Sequence, residues 1–268
     1  MKIAFIGGGN MASALIAGLV KQDGMTIHVI DPNAEALARL AQQYGASTSG
    51  TIDAGVDDSD VLVLAVKPQQ MRDVAAALAP HLTDQLVLSI AAGIRSSDLA
   101  RWLGGYGAIV RTMPNTPALI GMGITGMVAQ AGVSAAQRAA ADAVMRAVGK
   151  TVWLDDEDQI DAVTAVSGSG PAYVFFFLEA MQAAARELGL DAAQGRELAL
   201  ATFTGAAQLA AQSDEEVAVL RQRVTSKGGT THAAITSMQA AGVHEAIVAA
   251  MKAAAARGRE LGEELGRD

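Results

Sequence analysis

Two hydrophobic rhythms alternate along the first half of the chain. Short runs of consecutive apolar, largely β-branched residues recur up to about residue 153: "KIAFIG", "TIHVID", "VLVLAVKP", "LVLSIAAG", "AIVRTMPN" and "TVWL". Between them, apolar residues spaced three and four apart predict helices near residues 10–22, 33–44, 68–79 and 134–148. Strands that are apolar at nearly every position bury both faces, and their alternation with helices describes a parallel sheet covered on both sides. The pattern therefore predicts an α/β, doubly wound domain over residues 1–155. After about residue 156 the strand signal stops. Ala-rich helical text follows, interrupted at "SGSGP" (167–171), "GLDAAQ" (189–194), "QSDEE" (212–216), "VTSKGGTTHAAI" (224–235) and "AAGVHE" (240–245), which predicts an all-α domain over residues 156–268.

One helix of this second half, "PAYVFFFLEAMQAAA", is apolar nearly all round and reads as a buried helix. A small helical domain has limited material to cover it, so a dimer with packed helices is expected. Counted from Tyr173, its apolar run meets Glu179 after six residues. A bilayer span needs roughly 18 to 20, so no membrane association is expected.

Composition narrows the function classes. The 268 residues carry a net charge of −8 and only 4% aromatics, a surface that repels nucleic acid and offers few base-stacking platforms. There are no cysteines, which excludes disulfides and thiolate catalysis and makes a cytoplasmic location the simpler expectation. The start "MKIAFIGGGN" lacks the layout of a signal peptide. The four histidines, His28, His81, His232 and His244, are scattered, so no metal site is expected.

The chemistry concentrates at two glycine-rich loops. "GGGNMA" follows the first strand and opens the first helix. Gly7, Gly9 and Ala12 fit the three roles of a dinucleotide fingerprint, namely a tight turn, access of a pyrophosphate to the backbone, and close helix packing, with Gly8, Asn10 and Met11 completing the loop. Asp31 ends the second strand, where a carboxylate binds the ribose 2′-hydroxyl of NAD and repels the 2′-phosphate of NADP; alternatively Asp31 or Asn33 caps the next helix. Further strand ends bring Ala65, Val66, Lys67 and Pro68, the small residues Ala91, Ala92 and Gly93, and Asn115 to the side of the sheet where ligands bind. Lys67 reads equally well as a ligand of an anion and as a solvated loop residue.

"VTSKGGTTHAAI" is the second cradle, with hydroxyls on both sides of paired glycines. Pro171 suits the first turn of the helix after "SGSGP", and Thr230 or Thr231 could cap the helix after this loop; ordinary helix starts are the alternative reading of both. Its donors, without an arginine, suit a small carboxylate, since the first cradle already accounts for the dinucleotide phosphates. A dehydrogenase acting on an alcohol wants a general base, often His or Lys, near the hydroxyl it deprotonates, yet "PAYVFFFLEAMQAAARELGL" contains neither lysine nor histidine. An imine, protonated in solution, accepts hydride without one.

Taken in order, "FIGGGNMA", "AVKP", "AAG", "MPNTPA", "DAVTAVSGSGPAYVF" and "VTSKGGTTHAAI" resemble the Δ1-pyrroline-5-carboxylate reductases over essentially the whole chain, and the last of these is similar to the family's signature. The resemblance implies reduction of pyrroline-5-carboxylate to L-proline by NADPH or NADH, the last step of proline biosynthesis. It also implies a Rossmann domain joined to a helical dimerisation domain, a homodimer whose pocket is completed across the dimer, and higher assemblies in some members. On this sequence the family's carboxylate loop falls on Ser226, Gly228, Gly229, Thr230 and Thr231, with Thr231 nearest the imine nitrogen. Two positions depart from the pattern: Lys227 stands where many members have proline, and Asp31 where NADPH-preferring members commonly have a small polar or basic residue.

Overall fold

In the computed structural model, which describes residues 1–267, the described residues form eight strands in one sheet and twelve α-helices. The chain runs β1 (Lys2–Ile6), α1 (Asn10–Leu19), β2 (Thr26–Ile30), α2 (Ala34–Tyr44), β3 (Ser47–Ser49), α3 (Ala54–Asp57), β4 (Val61–Leu64), α4 (Met71–Leu78), β5 (Leu86–Ser89), α5 (Ser96–Trp102) and β6 (Ile109–Met113). It continues through β7 (Gly123–Ala129), α6 (Ala135–Arg146), β8 (Gly149–Trp153) and α7 (Gln159–Val163) to five last helices: α8 (Gly170–Glu187), α9 (Ala192–Ala211), α10 (Val217–Arg223), α11 (Thr230–Ala240) and α12 (Val243–Leu265).

The strand order is β3-β2-β1-β4-β5-β6-β7-β8, so the order reverses between β1 and β4. Period-2 alternation sends Ile3 and Phe5 of β1 to one face, where they pack with Leu15, Ile16 and Leu19 of α1, Leu40 of α2 and Met145 of α6. Ala4 and Ile6 point to the other face and meet Leu62, Leu64, Met71, Leu78 and Leu99. Two such cores explain why the strands read as unbroken apolar runs.

The sheet departs from the all-parallel expectation at one place. β7 pairs with β6 antiparallel. Residues 114–122, which link them, are too few for the crossover of about a dozen residues that a parallel pair needs. β7 itself, "GITGMVA", was not among the expected strands because glycines and threonines interrupt its apolar pattern; β3 and the short helices α3 and α5 also escape the periodicity.

The chain divides into two compact units: residues 1–169 together with the chain from Ala253 onward, and residues 170–252. Strands stop at Trp153, near the composition change at residue 156, but the first unit extends beyond it. Its later part is held by small residues: a Cβ on Gly126 of β7 would lie 2.7 Å from Val163 Cγ1 of α7, and one on Gly93 would lie 2.9 Å from Leu265 Cδ1 of α12. Within the second unit, α8 and α9 meet through Phe177 and Phe203, edge to face with centroids 5.6 Å apart. The expectation of a buried α8 fails in the single chain. Only Leu178 of α8 is buried, while Phe175 and Phe176 are 60% and 74% exposed. Four further helical segments are too little material to enclose so apolar a helix.

A side-chain node ties α6 to β8. The Asp142 carboxylate accepts hydrogen bonds from Thr151 Oγ1 at 2.6 Å and Trp153 Nε1 at 3.2 Å and pairs with Arg146. Burial alone would raise its pKa; the hydrogen bonds and the Arg146 charge outweigh that and hold it below the usual carboxylate range. A depressed folded-state pKa contributes stability above the unfolded value of about 4, which is lost as pH falls through the folded value. Asp142→Ala should therefore cost about 2 kcal/mol at pH 7 and markedly less near pH 3, as read from denaturation curves at the two pH values.

Candidate active site

The turn after β1 is set by steric exclusion. Gly7 has φ +103°, and a Cβ there would lie 2.8 Å from the carbonyl carbon and oxygen of Ala65, just beyond β4. Its N–H donates to Ile30 O at 2.8 Å, and the next N–H, of Gly8, donates to Asp31 Oδ2 at 2.7 Å. Gly9 is the N-cap of α1 and faces open space, with no atom within 4 Å of the point a Cβ would occupy. No side chain caps α1 and no acid sits in its first turn, so Asn10, Met11 and Ala12 begin a helix whose free N–H groups suit an anion. Ala12 is buried against the sheet and Met11 packs beside the same core, which leaves Asn10 exposed at the loop.

Asp31 is not a helix cap. Asn33 caps α2, accepting from the N–H groups of Glu35 and Ala36 at 3.0 and 3.2 Å. Asp31 instead spans the turn, its other oxygen accepting from the Asn33 N–H at 2.8 Å. Two clefts meet at Asp31 and Gly9. One, of about 420 Å³, is bounded by Gly8, Asn33, Glu35 and Arg39. The other, of about 500 Å³, is bounded by Ile52, Ala65, Val66, Lys67, Gln70 and Val74. An outward-facing helix N-terminus, a carboxylate and a slot with apolar walls fit a dinucleotide's pyrophosphate, ribose and adenine.

The remaining predicted strand-end residues serve differently. Lys67 and Pro68 lead from β4 into a short 3₁₀ turn, with Lys67 exposed at the rim of the second cleft. Ala91 is buried, Ala92 exposed, and Gly93 turns (φ +75°) under Leu261 and Leu265 of α12. Asn115, 8% exposed, is engaged at both ends of its amide: Oδ1 accepts from the Ile124 N–H at 3.0 Å and Nδ2 donates to Ser167 O at 3.2 Å. That second bond holds a π-turn over Thr164–Gly168, closed by Ser169 N–H to Thr164 O at 2.8 Å. "SGSGP", read as a loop from its glycines, is thus a bulge leading into α8. Such bulges recur at functional sites. Sequence reasoning also passed over Arg111, whose guanidinium donates to Glu157 Oε1 at 2.7 Å while the same oxygen accepts from the Ser96 N–H. A lone charge inside "AIVRTM" was its signal.

In the second unit the 224–235 segment contains a defined turn. Gly229 N–H donates to Ser226 O at 3.0 Å, Gly228 has φ +77°, and among the described residues none other than glycine has positive φ. That makes Ser226–Gly229 a type II turn with Lys227 at its second position, where proline fits well and other residues are tolerated. Neither Thr230 nor Thr231 caps α11. Gly229 does so without a side-chain bond, and the two threonines are the helix's first residues. The expectation of a threonine cap therefore fails, and their hydroxyls are not spent on it. α10 also supplies an arginine that the loop's own text lacks: Arg221, with Thr225 and His232, lines a cleft of about 190 Å³.

Comparison with known proteins adds the family context. Residues 157–261 match the family model for pyrroline-5-carboxylate reductase dimerisation, and residues 2–93 match that for NADP oxidoreductase, coenzyme F420-dependent. The pyrroline-5-carboxylate reductase of Pseudomonas aeruginosa is 50% identical over 99% of this chain and 98% of its own. The structure of a pyrroline-5-carboxylate reductase from Coxiella burnetii is similar with a TM-score of 0.91 at 40% identity, covering 97% of both chains. A Plasmodium falciparum pyrroline carboxylate reductase with NADP bound has a TM-score of 0.87 at 26% identity, covering 98% of both.

The glycines of the first turn should separate by role. Gly7→Ala meets backbone and should lower stability by about 1–3 kcal/mol. Gly9→Ala meets nothing and should stay within about 1 kcal/mol of the parent, while weakening NAD⁺ or NADP⁺ binding roughly tenfold or more. Thermal denaturation and nucleotide titration of the two variants check this. Lys227→Pro should stabilise by about 0.4–1 kcal/mol, because the turn already has the geometry that proline imposes.

Proposed function

Because the chain belongs to the pyrroline-5-carboxylate reductase family, we propose that it reduces 1-pyrroline-5-carboxylate to L-proline with hydride from NAD(P)H, the last step of proline biosynthesis. The observation that carries this reading is full-length identity of 50% to a pyrroline-5-carboxylate reductase, joined to an α11 start whose hydroxyls are uncommitted to capping. The N-terminal half is a Rossmann-type doubly wound sheet, and the C-terminal half is a helical dimerisation domain.

Bound nicotinamide would supply hydride for the imine carbon, whose nitrogen would already carry a proton taken from solvent. The chain's part is positioning and preorganised hydrogen bonding. The N–H groups of Gly9, Asn10, Met11 and Ala12 would hold the pyrophosphate on the turn that Gly7 makes possible, with Gly8 tying that turn to Asp31. Asp31 accepts from ribose, and Ala65, Val66, Lys67 and Pro68 flank the adenosine. Ala91, Ala92 and Gly93 keep the end of β5 small, and Asn115 acts through the π-turn it supports. Ser226, Gly228, Gly229, Thr230 and Thr231 hold the substrate carboxylate, and Thr231 places its hydroxyl at the imine nitrogen. A protonated imine needs no strong acid, which agrees with a helix α8 that contains neither lysine nor histidine.

A homodimer is the working unit in this reading. Phe175, Phe176, Leu198 and Leu209 leave large apolar side chains of the helical unit exposed, which a second copy would cover, and light scattering resolves whether dimers associate further. No described helix is long and apolar enough to cross a membrane. A cytoplasmic site of action fits a reaction that consumes reduced nicotinamide.

Thr231→Ala should cost about 2–4 kcal/mol of transition-state stabilisation, roughly 30- to 1,000-fold in kcat/KM, with nucleotide affinity and melting temperature close to the parent's. A spectrophotometric assay of pyrroline-5-carboxylate with both cofactors measures it. Parent-like turnover in this variant would sink the role given to Thr231.

A further inference from the structure

The two clefts that meet at Asp31 differ in character. Ile52, Val66 and Val74 wall the one on the β4 side, whereas Asn33, Glu35 and Arg39 bound the one on the α2 side. Asp31 stands on the ridge between them.

Arg39 reaches this cleft because α2 brings residues four apart to one face, which places it one turn after Glu35. Its side chain is exposed, and among the described residues no hydrogen bond or ion pair engages its guanidinium. Asp31 and Glu35 contribute two negative charges to the cleft and Arg39 one positive, leaving −1. Without Arg39 the cleft would hold only acids, and a phosphate would be repelled. The Asp31 oxygens each accept one backbone N–H, from Gly8 and Asn33, and each retains a further lone pair for a hydroxyl.

We propose that a purine takes the apolar cleft with its ribose on that ridge, and that Arg39 is the receptor for a 2′-phosphate on that ribose, opposed by the carboxylates of Asp31 and Glu35. The proposal rests on the dinucleotide reading of the first cradle. A guanidinium matches phosphate with a planar pair of donors, which an ammonium cannot reproduce. Glu35, one turn before Arg39, forms no ion pair with it among the described residues, so a phosphate has no such pair to displace.

Nucleotide binding, measured by calorimetry at fixed ionic strength, tests the assignment independently of turnover. The probes are 2′-AMP, 5′-AMP, NADP⁺ and NAD⁺. Arg39→Ala should weaken 2′-AMP and NADP⁺ about tenfold or more and change 5′-AMP and NAD⁺ less than about twofold, with Arg39→Lys recovering part of the loss. Asp31→Asn should shift the preference toward NADP⁺. Equal loss for phosphorylated and unphosphorylated nucleotides in Arg39→Ala, or no loss for either, overturns the proposal. A failure of the assigned reaction shows separately, as a wild-type protein that binds nucleotide yet does not reduce pyrroline-5-carboxylate.

Discussion

Gly7 passes Ala65 so closely that a Cβ would lie 2.8 Å from its carbonyl, and the rest of the nucleotide half is arranged around that approach. It occurs where strand order reverses between β1 and β4, the one place at which helices diverge to opposite faces and leave a crevice. With the turn held there, the Gly8 N–H faces Asp31 and α1 begins with its first N–H groups directed outward. The acid is therefore part of the scaffold of the turn, so removing its charge would alter the glycine loop itself as well as the ribose contact proposed for it.

Position on that ridge also sets a small number of charges against one another, which is the basis of the cofactor discrimination proposed for it. Asp31 belongs to both clefts, but its two neighbours on α2 have opposite signs. A strand end that carries only an acid reads as a preference for NAD. Arg39 changes that balance from outside the glycine motif, by helix geometry and not by adjacency in sequence.

The helical half solves a different problem. Its signature segment contains a type II turn, and the helix that follows begins without a side-chain cap. An uncapped helix start is a cost in the free protein that an anion at the proposed carboxylate site would offset. The same half exposes phenylalanines on α8 that no neighbour in the single chain covers. The exposed phenylalanines agree with a dimerisation domain, which a second apolar surface completes.

Local spacing determined a large share of this protein. Six strands and four helices of the α/β half are visible as runs and periods, because strands buried on both faces must be apolar throughout; the glycine turn and the hydroxyl loop are visible because few residue types satisfy their backbones. Interruptions hid the rest: β7 is broken by Gly123, Thr125 and Gly126, and "SGSGP" carries loop residues inside a π-turn. Only the folded chain showed that Asn33 and not Asp31 caps α2, since that depends on which N–H groups their oxygens meet. It alone engaged both ends of the Asn115 amide, brought Arg39 beside Asp31, and gave Lys227 a turn position that a proline could fill. Each of those outcomes depends on contacts or backbone angles that residue spacing does not encode, whereas the cradles themselves depend on the properties of consecutive residues.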